Sequence, residues 1–493
     1  MSQQVKKVVI AGGGTSGWCM AVALSRQLGT LLDITLIESS EIGTVGVGEA
    51  TIPTICAFHK MHGINEKEFL SATAGTIKLG ISFENWTRIN HRYIHSFGDF
   101  GKSPWIGDFY HYWLAAKTYG YQSELDDFCF ELQAAKYHKF SIIEKPKLNY
   151  AYHFDASLYA RYLRRISEKN GVKRIEGKVV DIKQDTDTGF IETVVLESGE
   201  RIDGDFFIDC TGFRGVLIEQ TLKAGYEDWG HWLRNDSAVA LQTDFSGDIP
   251  PYTRAIAHEG GWQWKTPLQH RQGTGYVYSS AYISDENARK TLLDNLDGSV
   301  RSEPRLLKFK TGRRKKAWVK NCVAIGLSGG FVEPLESTSI HLIQIGVTRL
   351  LQLFPFGGCS DALTDHYNEL LRTEYERVRD FIVLHYKATG RNDTPYWRDC
   401  RDMEIPDSLA SRMELFRESG VVSPYNSDIF RSANWLQVML NQGIEPRNYH
   451  HFPHVMDKDQ IINNLDKLKN SIARTVEKIP SHENFLKSYC PMR

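Results

Sequence analysis

Three glycines spaced as Gly12-x-Gly14-x-x-Gly17 constrain this chain more than any other feature, because of what stands on either side of them. The β-branched run Val8-Val9-Ile10 leads in, and apolar positions at Ala21, Val22, Leu24 and Leu28 lead out with helical spacing. Strand, tight turn and helix must follow in immediate succession, which is the dinucleotide-binding arrangement. The first glycine allows the turn, the second lets the backbone approach a pyrophosphate, and the third lets helix and strand pack closely. The helix start, at Thr15 and Ser16, offers free N–H groups and a positive dipole end to the phosphates. A second strand, Ile34-Thr35-Leu36-Ile37, ends at Glu38. That acid lies about 20 residues past the last glycine, where a carboxylate binds a ribose 2′-hydroxyl. The competing reading is a glycine turn between two packed elements, with no ligand.

With 493 residues the chain can bury two or more cores. It is 41% hydrophobic and 24% charged, the balance of a soluble globular protein. Its net charge of −1 argues against a nucleic-acid surface, which needs a basic excess. The eight cysteines form no C-x-x-C pair, so reduced thiols are expected and no metal site. No apolar run approaches the roughly 18 residues of a membrane span. Lys6 and Lys7 precede an apolar run that Gly12 ends too soon for a signal peptide, so a cytoplasmic location is expected. Trp86, Tyr93, Phe97, Phe100, Trp105, Phe109, Tyr110, Tyr112 and Trp113 crowd one region, either as core or as the lining of a pocket.

After Glu38, the stretch from Gly43 through Gly48-Glu49-Ala50-Thr51-Ile52-Pro53 reads as an ordered loop close to the cofactor. Residues 54–140 read as mostly helical and then aromatic. Residues 173–210 alternate in strand fashion through Val179-Val180-Asp181-Ile182. They end in Phe206-Phe207-Ile208-Asp209, a buried strand delivering Thr211-Gly212 to a second turn near the dinucleotide. Residues 237–285 read as further strands, and Cys322-Val323-Ala324-Ile325 as a third cofactor-type strand leading into Leu327. Beyond Phe354 the pattern turns helical, as in Leu371, Tyr375, Val378 and Ile382. There is one G-x-G-x-x-G, so the electrons are expected to arrive by another way than a dedicated NAD(P)H domain, although some one-domain flavin hydroxylases bind NADPH without a second fingerprint.

Two stretches carry candidate chemistry. Phe331-Val332-Glu333-Pro334-Leu335-Glu336-Ser337-Thr338-Ser339 precedes an apolar helix through Ile340, Ile343 and Val347. Ser337 or Thr338 is a natural N-cap, and the N–H groups of the first turn suit a small anion such as a halide. A capped helix without a ligand fits the same residues, and Glu336 alone reads equally as a dipole partner. Lys78 is a lone cation among apolar neighbours. Buried, it would lose charge, act as a nucleophile or donate a directed hydrogen bond; otherwise it snorkels to the surface.

Together these motifs resemble those of the bacterial flavin-dependent tryptophan halogenases. The likeness runs through the glycine fingerprint, the loop Val47–Pro53, Lys78, Phe206–Gly215 and Phe331–Ser339. Its most diagnostic piece is Trp262-x-Trp264-x-x-Pro267, similar to the family's W-x-W-x-I-P with Thr266 in place of isoleucine. The resemblance implies an α/β, single-component FAD-binding fold like that of p-hydroxybenzoate hydroxylase, with a Rossmann-type βαβ unit. It implies a halogenase core over residues 1–355, with a helical and aromatic substrate segment inserted at about 54–150, and a helical substrate-binding module over 356–493. The FAD contacts it implies are Gly12, Gly14, Thr15, Ser16, Gly17, Glu38, Ala50, Val179, Leu327 and Ile340.

In such enzymes FADH2 reacts with O2 to a C4a-hydroperoxide, and bound chloride or bromide attacks it to give hypohalous acid. The oxidant then travels to Lys78, which holds it by hydrogen bond or as a haloamine beside an electron-rich ring. Glu336 falls where the family has a carboxylate that supports the transfer and is a candidate acceptor of the ring proton. Halide would rest near Thr338 and Ser339, the latter a departure from the glycine of tryptophan-specific members. Trp262 and Trp264 would wall off the flavin side, unless they are ordinary core tryptophans of a sheet. His95 and Phe97 match a segment that sandwiches the indole, and Trp435 lies in the stretch comparable to one that clamps the amino-acid group. The adjacent tyrosine pair of tryptophan-specific members is missing there, so an indole-type or larger indolic substrate is expected. A separate NAD(P)H-dependent flavin reductase is the implied partner, and a homodimer follows what is common among such enzymes. The competing functions are a flavin-dependent aromatic hydroxylase and a non-catalytic flavin-binding redox sensor.

Overall fold

The computed structural model describes residues 4–41, 48–245, 247–422 and 428–492. The loop from Gly43 to Val47, expected near the cofactor, lies outside the described residues. The glycine fingerprint folds as its local constraints require: strand Lys7–Ala11, helix Thr15–Gln27, strand Asp33–Glu38. Gly12 turns the chain at φ 112°, a backbone conformation open to glycine and strained for other residues.

These strands sit in a six-stranded sheet ordered Trp318–Val319, Cys322–Ala324, Phe206–Asp209, Lys7–Ala11, Asp33–Glu38 and Lys173–Glu176. All neighbours run parallel except the edge pair formed by Trp318–Val319 and Cys322–Ala324. The three cofactor-type strands read from the sequence thus lie side by side. Chain connections leave Lys7–Ala11 toward both sides of the sheet, and such a reversal point is where open α/β sheets take their ligands. Alternate residues of Lys7–Ala11 serve two cores: Val8 and Ile10 face the main one, Val9 and Ala11 a smaller one behind the sheet.

A second, seven-stranded sheet is ordered Arg305–Lys308, Ser237–Thr243, Gln272–Tyr278, Gly261–Pro267, Tyr252–His258, Gly80–Glu84 and Arg92–Ser96. Two of its strands correct the reading of residues 54–140 as helical and then aromatic. After helices Thr54–Met61 and Glu66–Ala72 the chain forms strands Thr76–Lys78, Gly80–Glu84 and Arg92–Ser96. The runs are short, and the strand Tyr252–His258 that pairs with Gly80–Glu84 is remote in sequence, so local periodicity carried no sign of it. A small three-stranded sheet joins Glu49–Ala50, Ala151–Phe154 and Thr76–Lys78, pairing Lys78 with Ala151. Past Asp361 the elements are helices and 3₁₀ turns, led by the long helix Asp361–Lys387. That helix starts where Ser360 accepts the N–H of Leu363, and it buries Leu371, Tyr375, Val378 and Ile382. No helix among the described residues is long and apolar enough to cross a membrane.

Candidate active site

At the reversal point of the six-stranded sheet lies a cavity of about 770 Å³. Gly12, Gly14, Thr15, Ser16, Glu38, Ala50, Val179, Leu327 and Ile340 all line it. Gly17 does not: a Cβ there would come within 1.8 Å of the Gly12 carbonyl, so this glycine packs the helix against the turn. Gly14 has no atom within 4 Å of the same position. Helix Thr15–Gln27 carries no side-chain cap and no acid in its first turn, so its leading N–H groups remain available to a phosphate. Arg164, Arg174, Lys178 and Arg214 stand around the cavity and suit a diphosphate. The chain therefore fits FAD by its own geometry. Glu38 reaches the cavity wall already engaged, paired with Arg174 and accepting the indole N–H of Trp18 at 3.1 Å.

Across the cavity stand Trp262 and Trp264, their rings 6.4 Å apart. Both line the cavity from strand Gly261–Pro267 of the seven-stranded sheet. Trp262 is fully buried, and its Nε1 donates to Glu333 Oε2 at 3.1 Å.

The motif Phe331–Ser339 closes the same side. Pro334–Glu336 makes a 3₁₀ turn, Ser337 takes a left-handed conformation at φ 60°, and helix Ser339–Gln352 follows. The expected hydroxyl cap is absent. Thr338 occupies the N-cap position without a side-chain cap bond, and its buried Oγ1 has no hydrogen-bond partner. Ser337 turns its hydroxyl instead to Lys78, because a buried ammonium or amine needs acceptors more than a helix start needs a cap. An uncapped helix end and an unpartnered hydroxyl at Thr338, with Ser339 on the cavity wall, form a donor set that suits a small anion.

Lys78 is completely buried, which overturns the snorkelling alternative. Its Nζ donates to the Thr51 carbonyl at 3.0 Å and to Ser337 Oγ at 2.7 Å. Burial lowers the amine to about 7, with Glu336 pulling in the opposite direction. The half-buried ring of Phe97 has its centroid 5.2 Å from Nζ.

Glu336 is equally buried. Its oxygens lie 2.9 and 3.0 Å from His95 Nδ1, and one oxygen lies 2.8 Å from His385 Nε2. Burial alone would raise this carboxyl, but the two imidazoles outweigh it and hold it at about 2. His95 Nε2 meets the Asn434 amide at 3.0 Å. His95, Glu336 and His385 bring three ligand-type atoms within 4.8 Å of one another, with both imidazoles in contact with the carboxylate.

Trp435, expected as a substrate contact in the stretch comparable to the amino-acid clamp, is packed within the protein. It is fully buried, with the Arg412 guanidinium 4.2 Å from its ring and Phe381 at 4.9 Å, and its Nε1 donates to the Phe430 carbonyl. Packed on those sides, it backs the site rather than facing open space. His385 escaped the sequence reading, and so did the parts that Glu333 and Asn434 play within stretches it had singled out. The signal for His385 was present: it stands three residues beyond Ile382 and continues the buried stripe of its helix with a polar side chain.

A Rossmann-type turn opening on a cavity of this size, with the buried Lys78 bonded to Ser337 on its wall and the buried Glu336 next to that serine, defines a flavoenzyme of the single-component FAD-binding class. Comparison with known proteins is more specific. The family model described as tryptophan halogenase matches residues 7–458. Xcc4156, a flavin-dependent halogenase from Xanthomonas campestris, superposes with a TM-score of 0.98 at 49% identity, over 100% of this chain and 99% of its own. BrvH, a flavin-dependent halogenase from Brevundimonas sp. BAL3, does so at 0.95 and 39% identity, over 99% and 100% of the two chains. Tryptophan 6-halogenase SttH of Streptomyces toxytricini is 39% identical over 89% of each chain. The chain belongs to the tryptophan halogenase family. It is a flavin-dependent halogenase with the fold the sequence implied, and this decides against the hydroxylase and the non-catalytic sensor.

Proposed function

We propose that this halogenase delivers an electrophilic halogen through the Lys78 amine to an indole-type ring other than free tryptophan. The observation that carries the reading is the burial of Nζ between the Thr51 carbonyl and the Ser337 hydroxyl. When bound, reduced FAD together with O2 supplies the oxidising equivalent that turns chloride or bromide into hypohalous acid. The Thr338 hydroxyl and the N–H groups at Ser339 hold the halide, and Trp262 and Trp264 keep the aromatic substrate off the flavin side. With its amine at about 7, Lys78 is substantially neutral near neutral pH. Its lone pair can then take the halogen as the O–X bond of hypohalous acid breaks, the hydroxide leaving as water with one amine proton, and its protonated form can donate to the oxygen of the hypohalous acid. Glu336, charged at every working pH, offsets the positive charge that develops on the ring. Phe97 flanks the amine, and His95 orients Glu336.

The substrate reading rests on the stretch Asn434-Trp435-Leu436-Gln437, where no tyrosine pair stands ready for an amino-acid group. A separate NAD(P)H-dependent flavin reductase supplies FADH2, and the enzyme works in the cytoplasm as a homodimer. Residues 1–355 form its FAD-binding core, which takes in the segment at about 54–150, and residues 356–493 its helical module. The test is product mass spectrometry on a panel of indoles, with a flavin reductase, NADH and either halide, run beside Lys78→Ala. A halogen isotope pattern that disappears in the variant is expected; a hydroxylated, halogen-free product overturns the reading. Calorimetry checks the substrate: low micromolar affinity for tryptophan sinks that part alone.

A further inference from the structure

Strands Tyr252–His258 and Gly261–Pro267 build one wall of the cavity with alternate residues, and Thr253 and Thr266 stand on it beside Ala255, Trp262 and Trp264. Arg254 pairs with Lys265, so Thr253 comes opposite Thr266. Both threonines are buried. Thr266 takes the place of the isoleucine in W-x-W-x-I-P, and among the described residues its hydroxyl has no hydrogen-bond partner. The Thr253 hydroxyl is held from behind. Thr76 Oγ1 donates to the Pro267 carbonyl at 2.8 Å, which uses its only proton. His153 Nδ1, 2.9 Å from that oxygen, is therefore the donor of their bond. Burial first, then Lys78 and His482, push this imidazole well below its ordinary range, so it is neutral and its Nε2 accepts. Thr253 Oγ1, 2.9 Å from Nε2, gives its proton to that nitrogen and keeps only lone pairs for the cavity.

An acceptor beside a free hydroxyl complements an N–H that adjoins a carbonyl. On the flavin ring of FAD that pattern is the imide edge, an N–H between two carbonyls. Adenine offers a similar pair, but Glu38 marks the adenosine half of the dinucleotide, on the six-stranded sheet. The threonine wall belongs instead to the lysine end, because Thr76, which holds His153, lies on the strand Thr76–Lys78. We propose that Thr253 and Thr266 bind the imide edge of the flavin ring, Thr253 accepting its N–H and Thr266 donating to an adjoining carbonyl, and that His153 is the positioning residue that keeps Thr253 an acceptor. The inference rests on FAD filling this cavity and is independent of which substrate ring is halogenated. With isoleucine in place of Thr266 the wall would offer the acceptor alone. This chain thus holds the flavin ring by one hydrogen bond more than the pattern from which it departs.

Magnetic resonance of FAD labelled at its imide nitrogen and carbonyl carbons, bound to the full chain, tests this. In wild type the imide proton is expected to be protected from exchange with water, and one carbonyl signal to sit at its hydrogen-bonded position. Thr253→Val keeps the shape of the side chain and removes the acceptor. It should move the imide nitrogen signal toward that of an unbonded ring and lower FAD affinity about tenfold, the loss of one buried hydrogen bond. Thr253→Ser restores both. Thr266→Ile should move the carbonyl signal and leave the imide nitrogen in place. Nitrogen spectra of labelled histidines, with His153 assigned by difference against His153→Gln, should show a neutral ring protonated on Nδ1. An imide signal that Thr253→Val leaves unmoved overturns the proposal, and so does a His153 proton found on Nε2. If the valine variant does not fold, wild type and Thr266→Ile decide: an imide proton in free exchange with water, or carbonyl signals that isoleucine leaves unmoved, refute it. The spectra need no turnover. A chain that holds FAD in this way and halogenates no indole fails the functional reading alone, and one that binds no FAD fails both.

Discussion

Replacing Lys78 by methionine separates what the amine does for chemistry from what it costs the fold. Burial holds this amine at about 7, against 10.5 in an exposed lysine. Between those values the unfolded chain binds a proton that the folded chain has released, so this group makes stability rise with pH across that window. At about 1.4 kcal/mol per pH unit, the amine opposes folding by about 4 kcal/mol at pH 7 and by about 1 kcal/mol at pH 10. Methionine keeps similar length and removes the titration. It also strips the Thr51 carbonyl of its donor, a loss of about 2 kcal/mol; the Ser337 hydroxyl can rotate to another partner. Lys78→Met is therefore expected to be more stable than wild type by about 2 kcal/mol at pH 7 and less stable by about 1 kcal/mol at pH 10. Urea unfolding followed by tryptophan fluorescence at three pH values reads the difference, while product analysis shows no halogenation by the variant. A difference that stays flat with pH would refute the reasoning, since it would mean that folding takes no proton from Lys78.

The remaining predictions concern the cofactor turn, acid stability and the halide. Gly17→Ala drives a Cβ to within 1.8 Å of the Gly12 carbonyl and should lower the thermal midpoint sharply. Gly14→Ala meets no atom within 4 Å and should keep the midpoint while weakening FAD binding in a fluorescence titration. His482 accepts the Ile77 N–H at 3.1 Å and is lowered by burial to about 4. As pH falls from about 6.5 to 4 the unfolded state takes up the proton first, and up to about 3 kcal/mol of stability is lost. His482→Gln keeps an acceptor without the titration, and denaturation between pH 4 and 7 should show a shallower loss. Ser339→Gly removes a side chain from the start of helix Ser339–Gln352, the end proposed to hold halide. In equimolar chloride and bromide it should change the product ratio with the KM for indole unaltered, and an unchanged ratio would remove Ser339 from the halide site.

What could be read without coordinates was local in its physics. The strand, turn and helix around Gly12 follow from side-chain periodicity and from a backbone angle that glycine adopts freely. Lys78 and the Phe331–Ser339 motif stood out because their residue types are unusual for their surroundings, and the structure does bring them together. Residues 80–84 and 92–96 were different. They became strands because Tyr252–His258 offers its backbone to Gly80–Glu84, a partner far along the chain that no local pattern announces. Likewise Ser337 looked like a helix cap until the fold set the buried Lys78 amine beside it. The company of Glu336 shows the same division, for His95, His385 and Asn434 come from three separate elements. Local sequence determines which backbone shapes a segment can take and which side chains would be costly to bury. Only the packed chain decides which distant groups satisfy those side chains, because a buried charge or donor takes its partner from whatever the fold brings within about 3 Å.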